Sequence, residues 1–309
     1  MKFFAAILLP GLLLGCAPEK TAKSSKPSVT CTTTMVSDLA RQIGGDRVEV
    51  HGLMGPSVDP HSYVPKLADT SLLEKADLIL YSGLHLEGRF QESLEAMTKR
   101  GRHVLAVTDG IPAEKLLAPQ EEFSGTRDPH VWGDPLLWAD TIAPVVAALS
   151  KVDPEGATEF QQRGAAYREE LIQLTDWARQ RVLEIPENQR VLITSHDAFF
   201  YFGHAFGLEV RGLQGVSSAA EAGLQDRSNL VNFLRPRRVK MVFPETSINQ
   251  KGIAAVAAEA SVKISPEALF SDALGKPGDL ATVDGMTYDK GTYTGILRHN
   301  VNTIVNGLR

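Results

Sequence analysis

The chain is 309 residues long, with a net charge of −5 and a pI near 5.9. It therefore lacks the basic excess that draws proteins to nucleic-acid phosphates, and nucleic acid is not expected as a partner. Hydrophobic residues make up 43% and charged residues 22%, the balance of a soluble globular protein with length for about two domains of roughly 150 residues.

The N-terminus is organised for export. Lys2 precedes an apolar run from Phe3 to Leu14, broken by Pro10 and Gly11, that ends in Leu13-Leu14-Gly15-Cys16. Residues 1–15 read as a signal peptide, since the run is too short to span a bilayer. A Cys directly after Leu-Leu-Gly resembles the bacterial lipoprotein signal, which implies Cys16 as the lipidated first residue of the mature chain. Residues 16–28 are polar and rich in Ser, Lys and Pro, and read as that Cys plus a flexible tether. With Cys16 lipidated, only Cys31 remains, which excludes an intrachain disulfide; Cys31 is expected as a small core hydrophobe.

Beyond the tether, short β-branched runs alternate with longer amphipathic stretches, the pattern of an α/β fold with mostly parallel sheets. Predicted strands run Val29 to Thr33, Val48 to Leu53, Leu78 to Ser82, Val104 to Val107, Val191 to Thr194, Glu209 to Leu213, Lys240 to Phe243 and Val262 to Ile264. Four fall in each half, so two lobes, 29–153 and 186–309, are expected, each a four-stranded sheet flanked by helices. Between them Phe160, Tyr167, Leu171, Leu174, Ala178, Val182 and Ile185 recur on one helical face. Asp153 is placed to cap that helix, Pro154 to occupy its first turn and Pro186 to stop it. One rigid backbone helix over 154–185, about 45 Å long, is predicted. No phosphate loop and no further apolar run of membrane-spanning length follow.

The chemistry-bearing residues are dispersed. His61 lies in Asp59-Pro60-His61-Ser62-Tyr63, His130 in Asp128-Pro129-His130-Val131-Trp132, His196 in Ser195-His196-Asp197-Ala198-Phe199 and Asp272 in Ser271-Asp272-Ala273-Leu274. His61 and His196 follow predicted strands, where open α/β sheets bind ligands. Three imidazoles suit zinc, iron or related ions, a carboxylate shifts preference toward manganese, and four protein donors leave little room for a reactive water. Glu245, at the end of a strand, is a candidate to orient a ligand imidazole, and Asp197 could do the same or cap a helix. His51, His85, His103, His204 and His299 have no such context. No His-Glu-x-x-His or Cys-x-x-Cys offset is present, so spacing alone does not select these ligands.

From Val29 to Arg309 the chain resembles the TroA-like (cluster A-I, cluster 9) metal-binding lipoproteins of bacterial manganese, zinc and iron ABC importers. The likeness is carried by Met35-Val36-Ser37-Asp38-Leu39-Ala40 with Ile43-Gly44-Gly45-Asp46, by Asp59-Pro60-His61-Ser62-Tyr63, and by Ala76-Asp77-Leu78-Ile79. It continues through Thr194-Ser195-His196-Asp197-Ala198-Phe199 with Tyr201-Phe202, Gly212-Leu213-Gln214-Gly215-Val216-Ser217, and Ser271-Asp272-Ala273-Leu274-Gly275. The resemblance implies a metal held by His61, His130, His196 and Asp272 between two lobes linked by a long helix. It also implies a monomeric, lipid-anchored receptor on the outer face of the cytoplasmic membrane, passing Zn2+ or Mn2+, with Fe2+ a further candidate, to an ABC permease and its ATPase subunit. Ala113 to Arg127 contains no His, unlike the His-rich loop of many dedicated zinc carriers. Two other readings stand beside it: a metal-dependent hydrolase using the same His cluster with Asp272 as general base, and a surface adhesin with a structural metal.

Overall fold

The computed structural model describes residues 26–118, 127–219, 222–237 and 239–309. The signal peptide, Cys16 and most of the tether lie outside the described residues. The first half contains β1 (Ser28–Cys31), α1 (Thr34–Gly44), β2 (Glu49–Gly52), α2 (Leu67–Lys75), β3 (Leu78–Tyr81), α3 (Phe90–Lys99) and β4 (Val104–Ala106). Its strands form one parallel sheet in the order β2-β1-β3-β4. β3, Leu-Ile-Leu-Tyr, is buried at every position, as a parallel strand covered on both faces must be. Cys31 is buried beside it on β1 as a core residue, and burial pushes its thiol up to about 12.

Two helices, α4 (Pro135–Trp138) and α5 (Ile142–Val152), lead to the long α6 (Ala157–Val182). Contrary to the sequence expectation, Pro135–Val152 is apolar and long enough for a membrane span, with a mean hydropathy of 1.3. It is broken between α4 and α5, however, and it packs against α6 and α1 in the core. The backbone helix is also shorter than the predicted 154–185. Pro154–Gly156 forms a separate 3-10 turn in which Asp153 accepts from the Gly156 amide at 3.2 Å, and Pro186 forces the chain out of helix over Leu183 to Ile185. The remaining 26 residues span about 39 Å at 1.5 Å each. Phe160, Tyr167, Leu171, Leu174, Ala178 and Val182 are buried along it, and it packs against α1, α4, α5 and α10.

The second half contains β5 (Val191–His196), α7 (Phe200–Phe206), β6 (Glu209–Gln214), α8 (Leu224–Leu234), β7 (Met241–Val242), α9 (Lys251–Ala260) and β8 (Lys263–Ile264). A hairpin, β9 (Leu280–Val283) with β10 (Met286–Asp289), then precedes α10 (Tyr293–Leu308). A continuous four-stranded sheet was expected here, but the strands form two parallel pairs, β5-β6 and β7-β8. A hydrogen bond of 2.8 Å from the Phe243 amide to the Ile193 carbonyl sets one pair beside the other. β7 is short because Pro244 follows Phe243 and supplies no amide donor.

Polar ties join the halves near the carboxyl ends of the strands. The Leu274 amide donates to Thr34 Oγ1 at 2.8 Å, the Tyr293 amide to Asp38 Oδ2 at 3.1 Å, and Trp132 Nε1 to the Ser271 carbonyl at 2.8 Å. Tyr293 donates its hydroxyl to the Trp132 carbonyl at 2.7 Å. These bonds bring the segments carrying His130 and Asp272 together.

Candidate metal centre

The two Asp-Pro-His segments begin alike. In each, an Asp carboxylate oxygen accepts from the amide two residues on, at 2.9 Å for Asp59 with His61 and 2.9 Å for Asp128 with His130, the local turn that Asp favours. Asp128 Oδ1 also holds His130 Nδ1 at 2.8 Å, and both side chains are wholly buried. Asp59 instead accepts from Ser62 Oγ and from Ser218 Oγ.

His196 is the last residue of β5, two positions beyond the predicted strand. Glu245 Oε1 accepts from its amide at 2.9 Å, and Glu245 Oε2 lies 2.5 Å from its Nδ1. Asp197, the other candidate for orienting a ligand, does not do so. Its carboxylate accepts from the Gly212 amide at 2.7 Å, and α7 begins only after Phe199, so it is not that helix's cap either. A side chain at Gly212 would collide with the backbone of His196 and Asp197, so glycine permits β6 to run this close. Burial raises the Asp197 carboxyl to about 6 against that hydrogen bond.

Asp272 closes the arrangement. Its Oδ1 is 3.4 Å from His130 Nε2 and its Oδ2 is 3.3 Å from His196 Nε2, while Ser247 Oγ donates to Oδ2 at 3.2 Å. His61 Nε2 lies 3.2 Å from His130 Nε2. One donor atom from each of His61, His130, His196 and Asp272 falls within 4.8 Å of the others. A carboxylate on Nδ1 directs the Nε2 lone pair of His130 and His196 inward, the arrangement that orients metal-binding imidazoles. His196 Nε2 and Asp272 Oδ1 are buried without a hydrogen-bond partner among the described residues. Orphaned polar atoms cost about 1–3 kcal/mol each, and a divalent ion between them would satisfy both. The donor set therefore fits a transition metal.

Charge is distributed unevenly over the three imidazoles. Burial pulls His130 down, but Asp128 and then Asp272 outweigh it and hold the ring at about 9. His196, facing Asp272 and Glu245, is held well above the ordinary value despite its burial. His61 moves the other way, to about 4, through burial and the neighbouring imidazoles. Burial alone would raise Asp272, yet His196 and His130 keep its carboxyl well below the usual range. The neighbouring carboxylates thus favour the protonated form of the His130 and His196 rings in the metal-free site, and a ligating cation must compete with those protons.

Asp128 escaped the sequence reading, although the repeated Asp-Pro-His tripeptide was its signal. His204 is exposed, and His299 turns onto the Ala268 carbonyl at 3.0 Å and the Phe270 ring. His51, His85 and His103 are likewise outside the cluster.

Over residues 29–307 the chain matches the family described as zinc-uptake complex component A, periplasmic. The chain belongs to this family. It is 40% identical over 313 residues to the manganese-binding lipoprotein MntA of Bacillus subtilis, covering 99% of this chain and 98% of that one. It is also 40% identical over 317 residues to the zinc-binding protein TroA of Treponema pallidum, with 99% and 98% covered. The solved structure of that TroA superposes with a TM-score of 0.85 at 39% identity, covering 92% of this chain and 99% of that one. The iron ABC transporter lipoprotein MtsA of Streptococcus pyogenes is 28% identical over 316 residues, 98% of this chain and 96% of that one. The family consists of extracytoplasmic solute-binding components of metal ABC importers, which work with a permease and an ATPase; it is not a family of enzymes.

Proposed function

We propose that His61, His130, His196 and Asp272 are the four ligands of a transported divalent metal, captured between the halves and handed to the permease. The observation that carries this reading is the convergence of the His130 and His196 Nε2 atoms on the two oxygens of one buried carboxylate, with His61 Nε2 3.2 Å from His130 Nε2 and two rings locked by Asp128 and Glu245. Four donors filling the site speak against a hydrolase, which needs an open position for water, and Asp272 lies between two imidazoles rather than free to act as a base. Relatives named for manganese, zinc and iron carriage define the candidates. Three imidazoles favour zinc on affinity, while the two oxygens of Asp272 supply the extra coordination that manganese accepts.

In this reading, residues 1–15 are a signal peptide, Cys16 carries the lipid anchor and residues 16–28 form the tether. The lobes are 29–153 and 186–309, joined by 154–185, and the receptor acts as a monomer at the outer face of the cytoplasmic membrane. The test is metal content and competitive titration with Zn2+ and Mn2+ of the soluble chain from residue 17, beside His196→Ala. One tightly held ion per chain, lost in the variant, is expected; no stoichiometric ion in the parent protein overturns the ligand assignment.

A further inference from the structure

Resting on that reading of the site, we infer that the ion passes in and out through a cavity at the carboxyl ends of β5 and β6, and that the hydrogen bond from Ser218 to Asp59 is its latch. The cavity has a volume of about 460 Å³, and Asp59, Ser195, Gln214, Ser218 and Ser247 lie in its wall. That is room for roughly fifteen waters at about 30 Å³ each, enough for an ion that still carries its hydration shell.

Three of the four proposed ligands border this space through their neighbours. Ser195 precedes His196, Ser247 donates to Asp272 Oδ2 at 3.2 Å, and Asp59 fixes the His61 amide at 2.9 Å. Ser195 Oγ and Gln214 Oε1 are buried with no partner among the described residues. Asp59 is the carboxylate of the wall and Lys251 its cation.

The latch is a single contact between residues 159 apart in the chain. Ser218 Oγ donates to Asp59 Oδ2 at 2.7 Å, while Asp59 Oδ1 holds the turn that presents His61. One carboxylate therefore ties the second half of the molecule to the His61 loop. The matching Asp128 spends its oxygen on its own His130 ring. Releasing Ser218 unties the His61 loop from the second half, with its local turn intact, and widens the cavity without removing a ligand.

The test is stopped-flow kinetics with Zn2+ on the soluble chain, read by fluorescence of Trp132, whose ring lies 5.3 Å from that of His130. Dissociation is read separately in excess chelator. Ser218→Ala is expected to raise association and dissociation rates together by about threefold to tenfold, the effect of one lost hydrogen bond, so that Kd barely moves. Ala222→Trp, which fills the cavity wall, is expected to slow both rates, again with little change in Kd. Wild-type rates in both variants, with normal Zn2+ affinity, overturn the path and latch alone. A rise in dissociation confined to Ser218→Ala, with weaker Kd, makes Ser218 a static support and also overturns the latch. Absence of stoichiometric Zn2+ binding in the parent protein overturns the metal reading itself.

Discussion

Asp59-Pro60-His61 and Asp128-Pro129-His130 are the same tripeptide in the same local turn, yet they carry their imidazoles differently. His130 is wholly buried, clamped by Asp128 at Nδ1, and followed by Trp132, which bonds the Ser271 carbonyl. His61 is half-buried, no carboxylate hydrogen-bonds its ring among the described residues, and its turn is tied across the molecule by Ser218. The difference teaches that the tripeptide sets the backbone, whereas tertiary surroundings decide whether an imidazole is a fixed anchor or an arm that closes last. On the proposed ligand assignment, His130, His196 and Asp272 are the fixed side of the site and His61 the exchangeable side.

The sharpest way to break that contrast is to remove one ligand from each side. His130→Ala leaves Asp128 and Asp272 as buried carboxylates with one imidazole fewer between them, and stoichiometric Zn2+ binding should disappear in titration. His61→Ala leaves the anchored three-ligand set, so weakened binding of one ion should persist, with faster release. Equal losses in the two variants would erase the distinction.

A smaller effect should separate the two aspartates. Asp128→Asn removes the charge that orients His130 and should weaken metal affinity by about 10- to 100-fold, as loss of such supporting groups does. Asp59→Asn keeps an acceptor for the His61 amide, so its affinity should fall less than that of Asp128→Asn in the same competition assay. Glu245→Gln, which acts on His196 as Asp128 acts on His130, should behave like Asp128→Asn.

The pH dependence sharpens the comparison further. His130 is raised in the fold to about 9 from an unfolded value near 6.5. Its protonation therefore stabilises the metal-free protein fully below about 6.5, and that contribution is lost as pH rises to about 9. Thermal unfolding with chelator present should show Tm falling across that window, and Asp128→Asn should flatten the fall. His61, lowered to about 4, is neutral throughout it. Metal binding near neutral pH should accordingly release protons from the anchored side, measurable as a buffer-dependent binding enthalpy, and His61→Ala should leave that release unchanged. The pH range over which affinity falls is therefore set by His130 and His196, higher than the 6.5 of a free imidazole.

Legibility in the sequence followed burial and range. Each of the eight expected strands is present, because short β-branched runs bounded by turn residues leave a local signature, even where the strand is partly or fully exposed, as in β2 and β8. The β9-β10 hairpin was missed because it is mostly exposed and weakly apolar. Its signal was Asp284-Gly285, both with positive φ, the pair that closes two-residue hairpins. The break at Gly156 escaped notice because Asp153 and Pro154 start a 3-10 turn as readily as a helix. The clustering of the three imidazoles with Asp272 was expected through family likeness rather than spacing, since the four segments meet only in three dimensions. Glu245 is 49 residues from His196, and nothing local distinguished it from the adjacent Asp197, which turned out to brace Gly212.

The most direct test is a crystal structure of the Zn2+-loaded protein with anomalous scattering at the zinc edge. The account predicts one ion about 2.0–2.1 Å from the Nε2 atoms of His61, His130 and His196, with Asp272 oxygen at about 2.0–2.2 Å, and Asp128 and Glu245 still on the two Nδ1 atoms. An ion bound elsewhere, or one held through Nδ1 with either carboxylate displaced, would contradict it.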